Sequence, residues 1–457
     1  MRMRIALLSC YELGHQPMGL ASPLGFLKRA GIEASALDLA VEPFDAERIA
    51  KATFIGISVP MHTALRLGLV VLERARRLNP SCHVCFYGLY ASLQEDLLFD
   101  RGADSVIGGE YEEALVKLIG AREAETIEGV SRPHDRQKPR ITRLPFALPE
   151  RETLRSLDRY AKLQEGGATR LAGHVEATRG CLHRCTHCPI TPVYNGRFFA
   201  VPEAIVAEDI RRQVALGATH VSFGDPDFLN GPMHALRVTR AMKREHPEVT
   251  FDCTVKVEHI LKHRALFPEL RELGCLFVVS AFESLSDRVL IHLDKGHKAE
   301  DLSTALAITR DADLSLRPTW VPFTPWTGIE DFLALLDFVE REGLIENIAP
   351  VQYGIRLLVP PGSVLASHPA MAPFLGPFDP AALSFTWTDP DPRVTTLQAA
   401  IASAASDAET REEDVETTFA TMKRIALRAA GQTRELAKTR VREKRPPPPR
   451  LTESWFC

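Results

Sequence analysis

The chain has no apolar run near the ~20 residues that a bilayer-spanning helix needs, so no membrane span is expected. It has no surplus of basic charge. Lys and Arg total 55 against 59 Asp and Glu, a formal net charge of -4, which argues against nonspecific nucleic-acid binding as its main activity. It has no internal repeat, and its nine cysteines form no paired framework of the kind that staples small secreted domains. Met1-Arg2-Met3-Arg4 and the run from Ile5 to Ser9 lack the long apolar core and small-residue cleavage site of a secretory leader, and read instead as a first strand. What is present is ordinary: 45% hydrophobic and 25% charged residues over 457 positions, enough for two or three domains with their own cores.

Against that background three cysteines stand out. Cys181, Cys185 and Cys188 read C-x3-C-x2-C within Glu176-Ala177-Thr178-Arg179-Gly180-Cys181-Leu182-His183-Arg184-Cys185-Thr186-His187-Cys188-Pro189. Three thiolates on one short loop hold three irons of a 4Fe-4S cube, and no fourth cysteine lies nearby in the sequence. The fourth iron is then open to a ligand, which favours chemistry over plain electron transfer. Two blander readings stand beside this one: half of a zinc site completed by His183 or His187, and buried thiols. An oxygen-sensitive cluster makes a reducing cytoplasm the expected compartment.

Residues 1–120 alternate short strands (Arg4 to Ser9, Ala34 to Ala40, Phe54 to Val59, His83 to Tyr87, Ser105 to Ile107) with helical stretches (Pro23 to Ala30, Ala64 to Leu78, Leu93 to Asp100). This predicts a Rossmann-like, doubly wound parallel sheet with a crevice at the carboxyl ends of its strands. Residues 121–170 read as a polar connector. From 171 to 365 the alternation resumes, with strands at Leu171 to Thr178, Thr219 to Phe223, Thr250 to Val255, Cys275 to Ala281, Leu314 to Thr319 and Val351 to Leu358. Six such units make this part α/β, with the cysteine loop after the first strand; a partial barrel of (β/α)6 type is what the family resemblance given below implies for them. Residues 366–457 read as a segment packed across the barrel, a helical extension from Arg393 to Lys438 interrupted near Asp407 to Glu416, and an extended arm begun by Pro446 to Pro449 that is expected to be mobile. Cys82, Cys85, Cys253 and Cys275 read as packing residues, and Cys10 lies at a strand end facing the crevice.

With Arg179-Gly180 before its first cysteine, the loop resembles that of the radical S-adenosylmethionine (radical SAM) enzymes. The resemblance implies that the open iron is chelated by the amino and carboxylate groups of SAM. It also implies that one electron, drawn from a donor such as flavodoxin or ferredoxin, cleaves the sulfonium. His187 departs from the pattern, standing where the family usually has an aromatic residue. Phe223-Gly224-Asp225 resembles the family's Gly-Gly-Glu segment, which meets the SAM ammonium; an Asx turn is the alternative. Lys256 is placed to pair with the SAM carboxylate, or else forms a solvated pair with Glu258. Ser280-Ala281-Phe282-Glu283-Ser284 resembles a Gly-x-Glu-Ser segment suited to the ribose or methionine end, so Ser280 and Glu283 are candidates. Arg317, Thr319 and Trp320, and Gln352, Tyr353 and Arg356, lie on the last two strands within reach of SAM or substrate.

The first 120 residues resemble the cobalamin-binding domain that precedes the barrel in one class of these enzymes. The resemblance rests on Pro23-Leu24-Gly25, Gly56-Ile57-Ser58-Val59, Tyr87-Gly88-Leu89-Tyr90-Ala91 and Gly108-Gly109-Glu110-Tyr111-Glu112. It implies a crevice lined by Gly56, Ser58, Gly88, Gly109 and Glu110. The D-x-H-x-x-G pattern of a cobalt-ligating histidine is absent, although His15 sits in that loop; a domain that keeps the fold without the cofactor is the alternative.

The ending Leu451-Thr452-Glu453-Ser454-Trp455-Phe456-Cys457 resembles the CUAEP/CCAEP-tail radical SAM proteins, as do Phe251 to His259, Val321 to Trp326 and Val351 to Leu358. Their tail continues past the cysteine with a cysteine or selenocysteine and Ala-Glu-Pro. A UGA selenocysteine codon read as stop would give this ending, and so would a genuine terminus. Cys457 is the candidate catalytic thiol, suited to a soft acceptor or to thiol exchange. Three functions follow for a small-molecule substrate: cobalamin-assisted methyl or alkyl transfer, transfer of the 3-amino-3-carboxypropyl group of SAM to arsenic(III) or another soft acceptor, and a noncatalytic zinc-bound scaffold.

Overall fold

In the first sheet, neighbouring residues along each strand serve opposite faces. Ala6, Leu8, Ile55, Ile57, Val84 and Phe86 enter one apolar cluster. Ile5, Leu7, Phe54, Cys85 and Tyr87 enter another. Burial on both faces is what a parallel sheet covered by helices on each side requires. The computed structural model describes residues 4–121, 125–432 and 447–453. The sheet comprises β1 (Ile5–Ser9), β2 (Ala34–Asp38), β3 (Phe54–Ser58), β4 (His83–Tyr87), β5 (Ser105–Ile107) and β6 (Val130–Ser131), in the order β2-β1-β3-β4-β5-β6. Only β6 runs antiparallel to its neighbour.

The helix after β1 spans Met18–Arg29 and carries Pro23 inside it. Proline has no N–H for the carbonyl four residues back. That carbonyl, on Gly19, accepts instead from the Tyr87 hydroxyl of β4 at 2.8 Å, so the helix is locked to the sheet where its own ladder breaks. The expected helix Leu93 to Asp100 divides into Leu89–Leu93 and Glu95–Asp100 at Gln94.

The second sheet begins with a hairpin, β7 (Lys162–Glu165) and β8 (Ala168–Val175), turning on Gly166 and Gly167, both at positive φ. After a short antiparallel pair, β9 (Thr178–Gly180) and β10 (Phe198–Ala200), four strands run parallel to β8: β11 (His220–Phe223), β12 (Thr250–Thr254), β13 (Cys275–Glu283) and β14 (Ser315–Trp320). Val221, Phe251, Cys253, Val278 and Leu316 pack outward beneath the helices. The expected sixth strand does not form. Pro350–Gly354 is a 3-10 helix, and only Arg356 bridges to Phe323. There the side chain of Gln352 replaces a ladder bond, accepting from Trp320 N at 3.0 Å, and Gly354 packs where a Cβ would lie 3.0 Å from Ala402 Cα.

After a hairpin of β15 (Leu375–Asp379) and β16 (Ser384–Trp387), the C-terminal helices Pro392–Thr410 and Val415–Ala429 place Ile401, Phe419, Met422 and Ala426 in the barrel core. Residues 433–438 of the expected helix lie outside the described residues. The arm after Pro449 is not the free segment expected. Arg450–Leu451 forms β17, antiparallel to β7, and completes the order β14-β13-β12-β11-β8-β7-β17. Leu451 packs with Leu163 and, across the barrel, with Leu276, Phe277 and Val279 of β13. Arg450 lies near enough to Arg317 of β14 for the two cations to repel. β17 therefore stands in the gap between the two edges of the curled sheet. Cys457 lies outside the described residues.

Candidate active site

The cysteine loop leaves the end of β8 through Glu176–Gly180. Gly180 has φ +74, and a Cβ on it would lie 2.4 Å from the Arg197 carbonyl, so only glycine fits before the first cysteine. Asp225, at the end of β11, pins this approach. Its carboxylate accepts from Ala177 N at 3.0 Å and from the Thr178 hydroxyl at 2.5 Å. Burial pushes its carboxyl up to about 7 against those two bonds. The far side is pinned by Thr186, which donates from N to Leu293 O and from its hydroxyl to His292 O, and by Thr191, which donates to Cys185 O at 2.8 Å.

Cys185 is buried and Cys181 and Cys188 are partly so. Burial pushes the Cys188 thiol up to about 12; Cys185 and Cys181 add to the shift and Lys295 opposes it. Burial raises Cys181 as well, with Asp227 and Cys185 contributing. Thiols this close resist ionising together unless a cation lies among them. The loop histidines turn to carboxylates instead. His187 Nε2 lies 3.2 Å from Glu283 Oε1, and His183 Nε2 lies 3.3 Å from Asp227 Oδ2. The Cys3His zinc set is therefore not assembled.

Glu283 has φ +63 and also binds Lys295 Nζ at 3.0 Å. Burial alone would raise its carboxyl, but Lys295 and His187 outweigh it and hold Glu283 far below the usual carboxylate range. Lys256 is no solvated surface cation: it is buried, with Nζ 3.1 Å from His183 Nδ1 and 3.3 Å from Glu258 Oε2. The Ser280 hydroxyl is buried without a hydrogen-bond partner. Other expected contacts serve the frame. Phe223 packs on Phe228 and Phe251. Gly224 admits the His174 ring, whose Cε1 would lie 2.3 Å from a Cβ. Arg356 turns away to Asp389 and the Trp387 carbonyl, over the Trp387 ring.

The carboxyl ends of the first sheet meet this loop. Glu110 Oε1 accepts from Tyr194 OH at 2.7 Å, and Arg179 reaches Glu110 at 3.4 Å, Glu112 at 2.5 Å, Glu176 at 3.0 Å and the Ser22 hydroxyl at 2.9 Å. Gly109, at φ +67, lets the connector in: a Cβ there would lie 2.6 Å from Arg140 O. Gly88 has φ +108, Gly56 packs beneath Leu7 and Tyr87, and Ser58 lies under Gly19. His15 stacks on His174, centroids 4.2 Å apart and planes 15° apart, and burial lowers it to about 4.

Residues 4–119 match the B12 binding domain and residues 175–338 match the Radical SAM superfamily. The chain is a radical SAM enzyme with an N-terminal B12-binding domain. A putative methylthiotransferase of Methanocaldococcus jannaschii is 21% identical to the enzyme over 299 residues, 60% of this chain. The chain spans 61% of that relative's length. Among solved structures the radical SAM enzyme is similar to OxsB, a cobalamin-dependent S-adenosylmethionine radical enzyme. The TM-score is 0.71 at 13% identity, over 93% of this chain and 72% of that one. It is also similar to the radical SAM methyltransferase TsrM from Kitasatospora setae, solved with cobalamin and a 4Fe-4S cluster bound. There the TM-score is 0.60 at 17% identity, over 75% and 70%. At these identities the likeness is one of fold.

The two families matched are those of a domain for a 4Fe-4S cluster with SAM and of a domain for cobalamin. The donor set fits the first: three thiols carried on one pinned loop, while the other five described cysteines are buried elsewhere. Two residues escaped the sequence reading. Arg151, fully buried, grips Asp209 at 3.0 and 2.8 Å and the His174 carbonyl at 2.8 Å. Arg179 was visible only as a motif letter, although it joins both domains. Apart from Glu176, three residues before Arg179, the partners of each lie tens of residues away in sequence, so no local pattern announces them. No helix among the described residues is long and apolar enough to cross a membrane.

Proposed function

We propose that the enzyme cleaves SAM reductively at the three-cysteine cluster and transfers a methyl or alkyl group by way of cobalamin to a small-molecule substrate. One observation carries this reading: the cysteine loop is clamped between the carboxyl ends of two parallel sheets, through Arg179 to Glu110 and Glu112 and through Tyr194 to Glu110. Such ends are where both architectures hold ligands. Cys181, Cys185 and Cys188 would hold the cluster, and the iron left without a thiolate takes the SAM amino and carboxylate groups. Lys256 offers a buried cation for that carboxylate, and Glu283 and Ser280 offer acceptors for the rest of the cofactor. Gly56, Ser58, Gly88, Gly109 and Glu110 would frame the cobalamin side from within, each packed against neighbouring protein. His15 faces the barrel against His174, which supports cobalamin held without a histidine below cobalt.

Transfer of the aminocarboxypropyl group of SAM is the second reading, a chemistry that has no need of cobalt. The two differ in products. Anaerobically reconstituted protein, given cobalamin and a small reductant or a flavodoxin-type donor, is expected to bind cobalt and to release 5′-deoxyadenosine or S-adenosylhomocysteine. Cobalt-free protein that releases 5′-methylthioadenosine would overturn the first reading in favour of the second.

A further inference from the structure

We propose that His183 Nε2, Asp227 Oδ2 and His259 Nδ1 form a mononuclear site for a divalent first-row transition metal, beside the cysteine cluster and separate from it. The three residues come from consecutive elements at the active end of the barrel. His183 lies in the cysteine loop, Asp227 in the turn after β11 and His259 in the short helix Val257–Lys262 after β12. Their donor atoms all lie within 4.8 Å of one another. His259 Nδ1 is 2.7 Å and His183 Nε2 is 3.3 Å from the same Asp227 oxygen. Donors about 2.0–2.2 Å from a common ion stand roughly 3–3.5 Å apart, so the 3.3 Å pair already has that spacing and the 2.7 Å pair would open slightly as the ion enters.

Distance alone would equally describe a carboxylate hydrogen-bonded by two imidazoles. The directions argue otherwise. All three atoms are buried, and none makes a hydrogen bond of acceptable geometry despite their closeness. Native proteins rarely leave three such groups unsatisfied around one point. The other Asp227 oxygen is already used, accepting from Leu229 N at 3.1 Å, so the carboxylate is held with Oδ2 presented to the two rings. Two imidazoles and one carboxylate suit zinc(II) or iron(II) rather than magnesium or copper(I).

The surroundings resemble the outer shell of a metal site. Glu258 Oε2 lies 3.6 Å from His183 Nδ1, the nitrogen opposite the proposed ligand atom. Metal-bound histidines commonly direct that nitrogen to a carboxylate. Lys256 Nζ lies 3.1 Å from the same nitrogen and 3.3 Å from the same Glu258 oxygen, so when the ion binds Nδ1 would exchange the lysine for the carboxylate and leave Lys256 free for the SAM carboxylate. Because His183 lies between Cys181 and Cys185, an ion here would fix the middle of the cluster loop.

The test uses cluster-loaded protein, in which iron already occupies the thiolates. After treatment with a mild chelator it is equilibrated with zinc(II), and zinc and iron are counted together. The expected result is one zinc per chain at an unchanged four irons, with only nitrogen and oxygen neighbours in the zinc absorption spectrum. Asp227→Asn, which can keep the bond to Leu229, and His259→Ala should each weaken zinc binding more than a hundredfold. Three results overturn the site: no stoichiometric zinc, zinc gained only as iron is lost with sulfur at about 2.3 Å, or equal binding by both variants. If His259→Ala fails to fold, Asp227→Asn decides alone. A protein that binds zinc as expected and yet cleaves no SAM would refute the proposed function and leave this site standing.

Discussion

The two parallel sheets end very differently at the face they share. At the carboxyl ends of the first sheet many polar groups are taken by protein, although Ser9 Oγ, Ser92 Oγ and Glu112 Oε2 are buried without a partner among the described residues. Glu110 holds Tyr194 and Arg179, Glu12 accepts from Met18 N and Gly19 N, and the glycines make room for neighbouring backbone. At the ends of the barrel strands the groups converge without satisfying one another: three thiols, the Ser280 hydroxyl and the trio around Asp227. The barrel thus presents donor atoms to a partner that brings charge, while the first domain presents shape. Loss of a donor should therefore abolish chemistry, and loss of a clamp should cost stability.

The largest expected effect follows from the donors. Cys181→Ala, Cys185→Ala or Cys188→Ala should each abolish reductive SAM cleavage, read as 5′-deoxyadenosine, and reduce bound iron well below four. Full turnover in any one of them would remove that cysteine from the cluster. Next comes the clamp. Arg179→Gln leaves buried Glu110 and Glu112 without their cation, a change worth about 3–5 kcal/mol at buried pairs. A denaturant midpoint close to that of the unaltered protein would show that the domains are joined elsewhere.

A smaller effect depends on pH. Burial depresses His15 to about 4, while an unfolded histidine titrates near 6.5. Between those values the unfolded chain binds the extra proton, so the stability due to neutral His15 is complete above pH ~6.5 and is lost as pH falls toward ~4. His15→Phe keeps a flat ring over His174 and should flatten this acid limb of the stability profile; an unchanged slope would place the titration in another group. The smallest effect is at the tail. Tyr11→Phe removes the 2.5 Å bond to Glu453 Oε1 and should cost about 0.5–1.5 kcal/mol, read as faster amide exchange at residues 450–453.

Much of this comparison was legible in the sequence because it rests on local pattern. Short apolar strands alternating with helical stretches and the three-cysteine spacing need only a few adjacent residues. What was missed needed distance or size. β17 is two residues long and shows no period at all. The run from Val351 to Leu358 looks like a strand, but Pro350 opens a tight turn and Gln352 supplies by side chain what a strand would supply by backbone. Asp225 resembles a ligand to an ammonium, yet its oxygens are engaged by Ala177 and Thr178, residues 47 and 48 positions away. Buried Arg151 could not be told from a surface arginine until its partner Asp209 was known.

The strand pairing of Arg450–Leu451 with β7 also sets an order of events during synthesis. β7 emerges from the ribosome long before residues 450–451 exist, and domains generally fold from the N-terminal side as they appear. Until then β7 presents an unpaired edge, the kind of surface that invites wrong partners. During that interval Leu163, Leu276, Phe277 and Val279 lack the apolar cover that Leu451 supplies, so the last two-residue strand is also what hides this side of the barrel from water and from other chains.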